Sequence, residues 1–375
     1  MTKIFLIKPY WFVHGYIMTG EPSKVVVALS GGVDSAVAAF LLKSEGWAVH
    51  GVHFLLSGPS EIQQKKTESV QAVCSFLDIS LQLVDVRSSF EDLVLRPFTE
   101  AYFNGLTPNP CVLCNEVMKF EFLSRVAKEE HLPFMATGHY ARLLLRQHSA
   151  GISLLRGRDG GKDQSYFLHR IARDHLGKTL FPLGEKKKSW VRDMARKEKI
   201  PCRSLPESQE ICFLAGGDYR HFIEARKGHY AEEKGAIIDT AGTVVGEHRG
   251  AHRYTIGQRR GLGIASPRPY YVKEIRMRTN EIIVARREEL YSRSVLARDI
   301  RWIEEEPMSG ENLLAQIRYR HRAAPGVFEM VSPGMMHFRF HEPQWAVTPG
   351  QAIVWYDGDR VLGGGWICRE HEKDI

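Results

Sequence analysis

The sequence predicts an α/β protein: a doubly wound parallel sheet, followed by a small central β-rich module and a C-terminal β-barrel. Three observations carry this expectation. Over roughly the first 150 residues, apolar strand-like runs alternate with helix-like stretches, the pattern of a parallel sheet covered on both faces. From Lys234 onward the pattern changes to short β-like runs broken by glycine, as in small β modules. At 375 residues the chain has the length of two or three domains of about 100–200 residues each.

The elements follow in order. Residues 1–17 are aromatic and apolar but contain Lys3, Lys8 and His14 and are too short to span a bilayer, so they are read as an extension without an assigned role. Met18 opens a more ordinary leader. Residues 25–29 form a buried strand and 36–43 a helix; residues 48–56, 62–77 and 81–86 continue as strand, helix and strand. A further strand at 133–137 ends in Gly138, His139 and Tyr140, where Gly138 lets the backbone approach a nucleotide. Residues 183–203 are basic and helix-forming, either an RNA-facing helix or a solvated helix face. Short β-like runs then occupy 236–239, 243–246, 270–275, 281–285 and 351–356. The expected domains are 18–217, 218–270 and 271–375.

A formal charge of +7 and a pI near 9.0 suit a polyanionic partner, although enzymes that bind no nucleic acid also carry charge of this size. Six irregularly spaced cysteines do not make a disulfide framework, and no secretory signal is read ahead of them; a reducing cytoplasm is expected, with no membrane or DNA partner.

Residues 30–35 read Ser-Gly-Gly-Val-Asp-Ser between the first strand and the first helix. Backbone N–H groups and the helix dipole at such a turn hold phosphate. Gly31 and Gly32 permit positive φ and close approach, Ser30 and Ser35 add hydroxyls, and Asp34 can hold Mg²⁺ beside a pyrophosphate. No lysine follows as in a Walker loop and no G-x-G-x-x-G is present. The six residues resemble the PP-loop of ATP pyrophosphatases, which cleave ATP between its α and β phosphates and adenylate a substrate oxygen. That resemblance implies an adenine nucleotide alpha hydrolase-like fold, ATP as cosubstrate and Mg²⁺; the alternative is a plain glycine turn capping a helix.

Cys111 and Cys114 stand in a proline-restrained loop, residues 107–115, that leads into a helix. A thiol at a helix N-terminus is expected to have a lowered pKa and to act as a nucleophile. The C-x-x-C spacing alone fits a redox pair, half of a zinc site or two packed thiols. Cys212, taken alone, reads as a buried structural thiol.

Residues 30–35, 107–115, 136–140, 161–168, 210–213, 254–263, 318–320 and 348–351 together resemble the bacterial tRNA-specific 2-thiouridylases, which replace the C2 oxygen of the wobble uridine with sulfur. The resemblance runs from Lys24 to about Gly365 and implies a mechanism. ATP lies over Ala28, Leu29, Ser30, Gly31, Gly32, Val33, Asp34 and Ser35, with Phe54 and Gly138 beside it. AMP passes to the uridine O2 and pyrophosphate leaves. Cys212 matches the persulfide cysteine and Cys114 the nucleophile, so a Cys114–Cys212 disulfide is an expected intermediate, with sulfur delivered by a cysteine desulfurase or relay carrier.

Two departures stand out. Cys111 occupies a position where many family members have Asp, assigned as a general acid or base, and Cys111, Cys114 and Cys212 could alternatively hold an iron–sulfur cluster. Phe54 replaces the Met that packs on adenine, and an aromatic ring can stack there too. The resemblance also implies that Asn109, Pro110 and Cys111 border the target base, and that His139, Lys162, Asp163 and Gln164 contact the anticodon region. Arg318, Tyr319 and Gln351 reach it from the C-terminal module, and residues 257–263 line the RNA path or build a β-turn. Competing readings are another PP-loop tRNA-modifying adenylating enzyme and a non-catalytic tRNA-binding protein with a relic loop.

Overall fold

A computed structural model describes residues 23–145, 151–202, 211–214, 217–227 and 233–369; the extension 1–17, the leader at Met18 and the motif residue Glu210 lie outside the described residues. The first sheet contains β1 (Lys24–Ala28), β2 (Ala48–Leu55), β3 (Ser80–Asp85), β4 (Phe134–Ala136) and β7 (Thr179–Leu180). All its pairings are parallel, in the spatial order β3-β2-β1-β4-β7. Val25, Val26 and Val27 are fully buried, which explains why β1 is apolar at every position rather than alternating. Helices α1 (Val33–Ser44) and α2 (Ser60–Leu77) supply the first two crossovers.

This strand order reverses at β1. From β1 the chain moves to β2 and β3 on one side and returns to β4 on the other, so the crevice at the carboxyl ends of β1 and β4 is the topological switch point where such sheets bind ligands. The Ser30–Ser35 turn follows β1, and Thr137–Tyr140 follows β4.

The central module is a four-stranded sheet, with β8 (Gly235–Asp239), β9 (Val244–His248), β10 (Tyr271–Arg276) and β11 (Glu281–Ala285) in the order β10-β11-β8-β9. β10 and β11, expected at the start of the barrel, therefore belong to the module, because Glu281–Val284 pair in parallel with Ala236–Asp239. The barrel starts with β12 (Tyr291–Trp302) and continues through β13 (Asn312–Gln316), β14 (Ala324–Ser332), β15 (Met335–Trp345), β16 (Ala352–Asp357) and β17 (Arg360–Cys368). Pairing of β12 with both β15 and β17 closes these six strands into a ring, with Phe328, Phe338, Phe340 and Trp355 packed in one buried cluster.

The barrel is fastened to the first domain through backbone. A hairpin of β5 (Ala141–Leu145) and β6 (Ile152–Arg156) extends from β17, with Leu155 opposite Arg360 and Leu154 opposite Val361. Among the described residues no helix is long and apolar enough to cross a membrane.

Candidate active site

The glycine turn is pre-shaped by its own side chains. Ser35 Oγ accepts from Ser30 N–H at 3.1 Å, donates to Gly32 O at 3.0 Å and lies 3.2 Å from Ser30 Oγ. Gly31 adopts φ +83°, the left-handed region, and a Cβ there would meet the Lys66 carbonyl oxygen of α2 at 3.0 Å. Gly138 also answers a packing need: a Cβ on it would lie 2.8 Å from Ser35 N and 3.1 Å from Asp34 O. Its missing side chain lets the β4 loop pack on the first turn of α1.

Asp34 does not stand free. Lys188 Nζ donates to both its carboxylate oxygens at 2.6 Å and Tyr140 Oη donates to Oδ1 at 2.7 Å. Lys188, only 7% exposed, opens the helix Lys188–Lys197, whose Val191 and Ala195 pack in the core around α1. The basic stretch is thus neither a purely solvated helix nor purely an RNA face. Its first lysine is buried against the loop, while Arg192, Arg196 and Lys199 line the cavity above it.

The cysteine loop becomes a helix at Pro110. Pro110 occupies the first turn, and Asn109 caps it by accepting from Val112 N–H at 3.3 Å through Oδ1. Helical turns run on to Glu129, with a π segment over Asn115–Lys119 directly after the turn that carries the thiols. The barrel clamps the loop: Thr107 N–H donates to Pro349 O at 2.9 Å and Gln351 Nε2 donates to Thr107 O at 2.9 Å.

Burial overrides the helix dipole at these thiols. Cys114 is buried and its pKa is pushed up to about 12; Cys111, half-buried, is pushed up to about 11. The expected depression is therefore reversed, with desolvation the larger effect and the nearby Lys119 ammonium pulling the other way. Cys212 is exposed, which overturns the reading of it as a buried structural thiol. All three line one cavity, and Cys212 lies near enough to Cys111 and Cys114 to add to the rise in the pKa of each. They do not make a cluster site: among the described residues no group of three or more His, Cys, Asp or Glu side chains is gathered to hold a metal ion. The iron–sulfur alternative therefore finds no gathered ligand set among the described residues.

The cavity measures about 2780 Å³ and joins the glycine turn, the cysteines and the barrel. Small-ligand sites occupy about 300–1,000 Å³, so there is room for a nucleotide and a base together. Ala28, Leu29, Ser30, Gly32, Val33, Asp34, Ser35, Phe54 and Gly138 line one end, but not Gly31, which packs on α2. Asn109, Pro110, His139, Lys162, Asp163, Gln164, Tyr319 and Gln351 line the rest.

Several of these serve as architecture. Asp163 is 8% exposed and its carboxylate is used up by Arg156, Gly157 N–H, Ser165 N–H and Ser165 Oγ. Gln164 exchanges hydrogen bonds with the Tyr140 backbone, accepting through Oε1 and donating from its own N–H, both at 2.9 Å. Burial holds His139 well below the usual imidazole range, so it faces the cavity neutral. Arg318 does not line the cavity; it lies over Trp345 and donates to its carbonyl, leaving Arg320 and Arg322 as the barrel's cations there. Residues 257–263 form a turn in which a Cβ on Gly257 would meet Trp345 at 3.0 Å, and they are not part of this cavity wall.

A glycine turn at the switch point of a parallel sheet, opening into a cavity of nucleotide size, defines an ATP-using enzyme of the PP-loop class. Residues 23–216 match a family described as the tRNA methyl transferase HUP domain, 221–286 the tRNA methyl transferase PRC-barrel domain, and 292–367 the aminomethyltransferase beta-barrel domain. The tRNA-specific 2-thiouridylase MnmA of Geobacter metallireducens is 42% identical over 92% of this chain and 96% of its own. The proteins of that name from Carboxydothermus hydrogenoformans and Desulforudis audaxviator are 42% and 44% identical, each over 92% of this chain and over 97% and 98% of their own. The chain belongs to the tRNA-specific 2-thiouridylase family.

Proposed function

We propose that the protein converts uridine in tRNA to 2-thiouridine at the expense of ATP. The observation that carries this reading is the single cavity into which the PP-loop and all three cysteines open. The loop amides and α1 would hold the phosphates of ATP while the uridine O2 attacks the α-phosphorus and pyrophosphate departs. Phe54, at the cavity wall beside Phe122, offers an aromatic face to adenine.

Mg²⁺ binds through one or two carboxylates plus substrate phosphates. With Asp163 held by four donors, Asp34, on the PP-loop, is the cavity carboxylate that would hold it, the ion taking the place at its oxygens that the Lys188 ammonium occupies here. The ion neutralises phosphate charge when bound.

Sulfur transfer falls to the thiols. A persulfide on Cys212, the exposed one, can be loaded by a donor protein that never enters the cavity. Its outer sulfur attacks C2 and AMP leaves, so that Cys212 Sγ is joined to the base through that sulfur; the Cys114 thiolate then attacks Cys212 Sγ, the Cys212 S–S bond breaks to release 2-thiouridine, and a cytoplasmic reductant resets the Cys114–Cys212 disulfide. The neutral His139, with Lys162, Arg320 and Arg322, would hold the anticodon region in the cavity.

Addition of unmodified tRNA to enzyme, ATP and Mg²⁺ should release pyrophosphate, measured by a coupled assay, before any sulfur source is supplied. No release with confirmed tRNA binding would favour a tRNA-binding protein with a relic loop.

A further inference from the structure

Asn115 follows Cys114 on the helix and its N–H donates to the Cys111 carbonyl, which places it one turn beyond Cys111. It is 2% exposed and lines the cavity. Its Nδ2 donates to Phe167 O at 3.1 Å, whereas its Oδ1 is buried without a partner. The Phe167 bond sets the amide's orientation, since the flipped amide would oppose two carbonyl oxygens. Native proteins keep few buried acceptors unsatisfied, and this one, closed to water in the cavity wall, gains a donor when a base seats against the helix there.

Uracil and cytosine differ at the edge next to O2. Uracil presents N3–H, a donor; cytosine presents a bare N3, an acceptor. An amide oxygen accepts and cannot donate. We propose that Asn115 Oδ1 accepts the N3–H of the target pyrimidine and thereby selects uracil over cytosine; this rests on the tRNA uridine thiolation reading above. The same bond sets the position of the adjacent O2.

The test is binding of anticodon stem-loop RNAs that carry uridine, cytidine or 3-methyluridine at the target position, measured by fluorescence anisotropy. Wild type should bind the uridine RNA at least about tenfold more tightly than the other two. Asn115→Leu, of similar shape but without an acceptor, should lose the uridine-to-cytidine preference to within about twofold; Asn115→Asp, which keeps an acceptor, should retain it. Both variants lose the donor to Phe167, so a merely structural role would affect them alike and leave the preference unchanged. Equal binding of uridine and cytidine RNAs by wild type overturns the inference, as does a preserved preference in Asn115→Leu. If the leucine variant does not fold, Asn115→Ala, which also lacks the acceptor, takes its place: loss of the preference supports the inference and a preserved preference overturns it. A wild type that thiolates no uridine would overturn the functional reading and this inference together, whereas thiolation with an unchanged preference sinks the inference alone.

Discussion

Cys212→Ala abolishes 2-thiouridine formation, a loss of more than about a thousandfold, and leaves tRNA-stimulated pyrophosphate release intact. The separation is expected because the PP-loop and α1 hold the phosphates, while Cys212 enters only with sulfur. Loss of both steps would show that Cys212 builds the nucleotide site instead. The same assay carries a pH signature. With Cys114 pushed up to about 12, its thiolate fraction rises about tenfold per unit between pH 7 and 9, so release of the reduced product in single turnover should accelerate with pH. A rate flat above pH 7 would indicate a depressed thiol. The linkage has the matching sign: a folded-state pKa above the unfolded value of about 8.5 contributes stability below that pH and loses it as pH rises toward the folded value.

Arg170→Ala destabilises the fold by about 3 kcal/mol or more and lowers Tm by about 6–12 °C. The Arg170 side chain is 3% exposed and ties three parts of the chain together. Nε donates to Glu116 Oε2 on the cysteine helix at 2.6 Å, Nη1 to Asp299 O on β12 at 2.6 Å, and Nη2 to Asp299 Oδ2 at 2.8 Å. Its guanidinium also lies over the Trp366 ring of β17, 5.5 Å from the centroid. Removing it strands a half-buried Glu116 at the joint between the thiols and the barrel. Thermal unfolding by circular dichroism decides the point, and a Tm within about one degree of wild type would show that the joint does not depend on this pair.

The PP-loop was legible because its chemistry is contiguous. Strand, glycine turn and helix N-terminus follow one another within residues 24–44, so local rules suffice. Lys188 carried no such signal: it sits in a basic helix 154 residues from Asp34, and only the packing of that helix on α1 brings the two together. Lys119 is hidden in the same way, one basic residue in a helix that the fold turns toward Cys111, Cys114 and His139. The resemblance implies anticodon contacts for Asp163 and Gln164, yet their side chains bond to Arg156, Ser165 and the Tyr140 backbone, partners that only the fold brings to them, and so they shape the cavity wall. The sign of the thiol shift depended on burial, and burial is a tertiary property. A helix N-terminus of ordinary length contributes about 0.3–1 kcal/mol at the surface, too little to offset desolvation at Cys114.

The account stands or falls on one reaction. Anaerobically purified protein incubated with ATP, Mg²⁺, a persulfide donor and unmodified tRNA should yield 2-thiouridine on nucleoside mass analysis, and none when ATP is omitted. Absence of 2-thiouridine with tRNA binding and donor activity both confirmed would contradict the assignment.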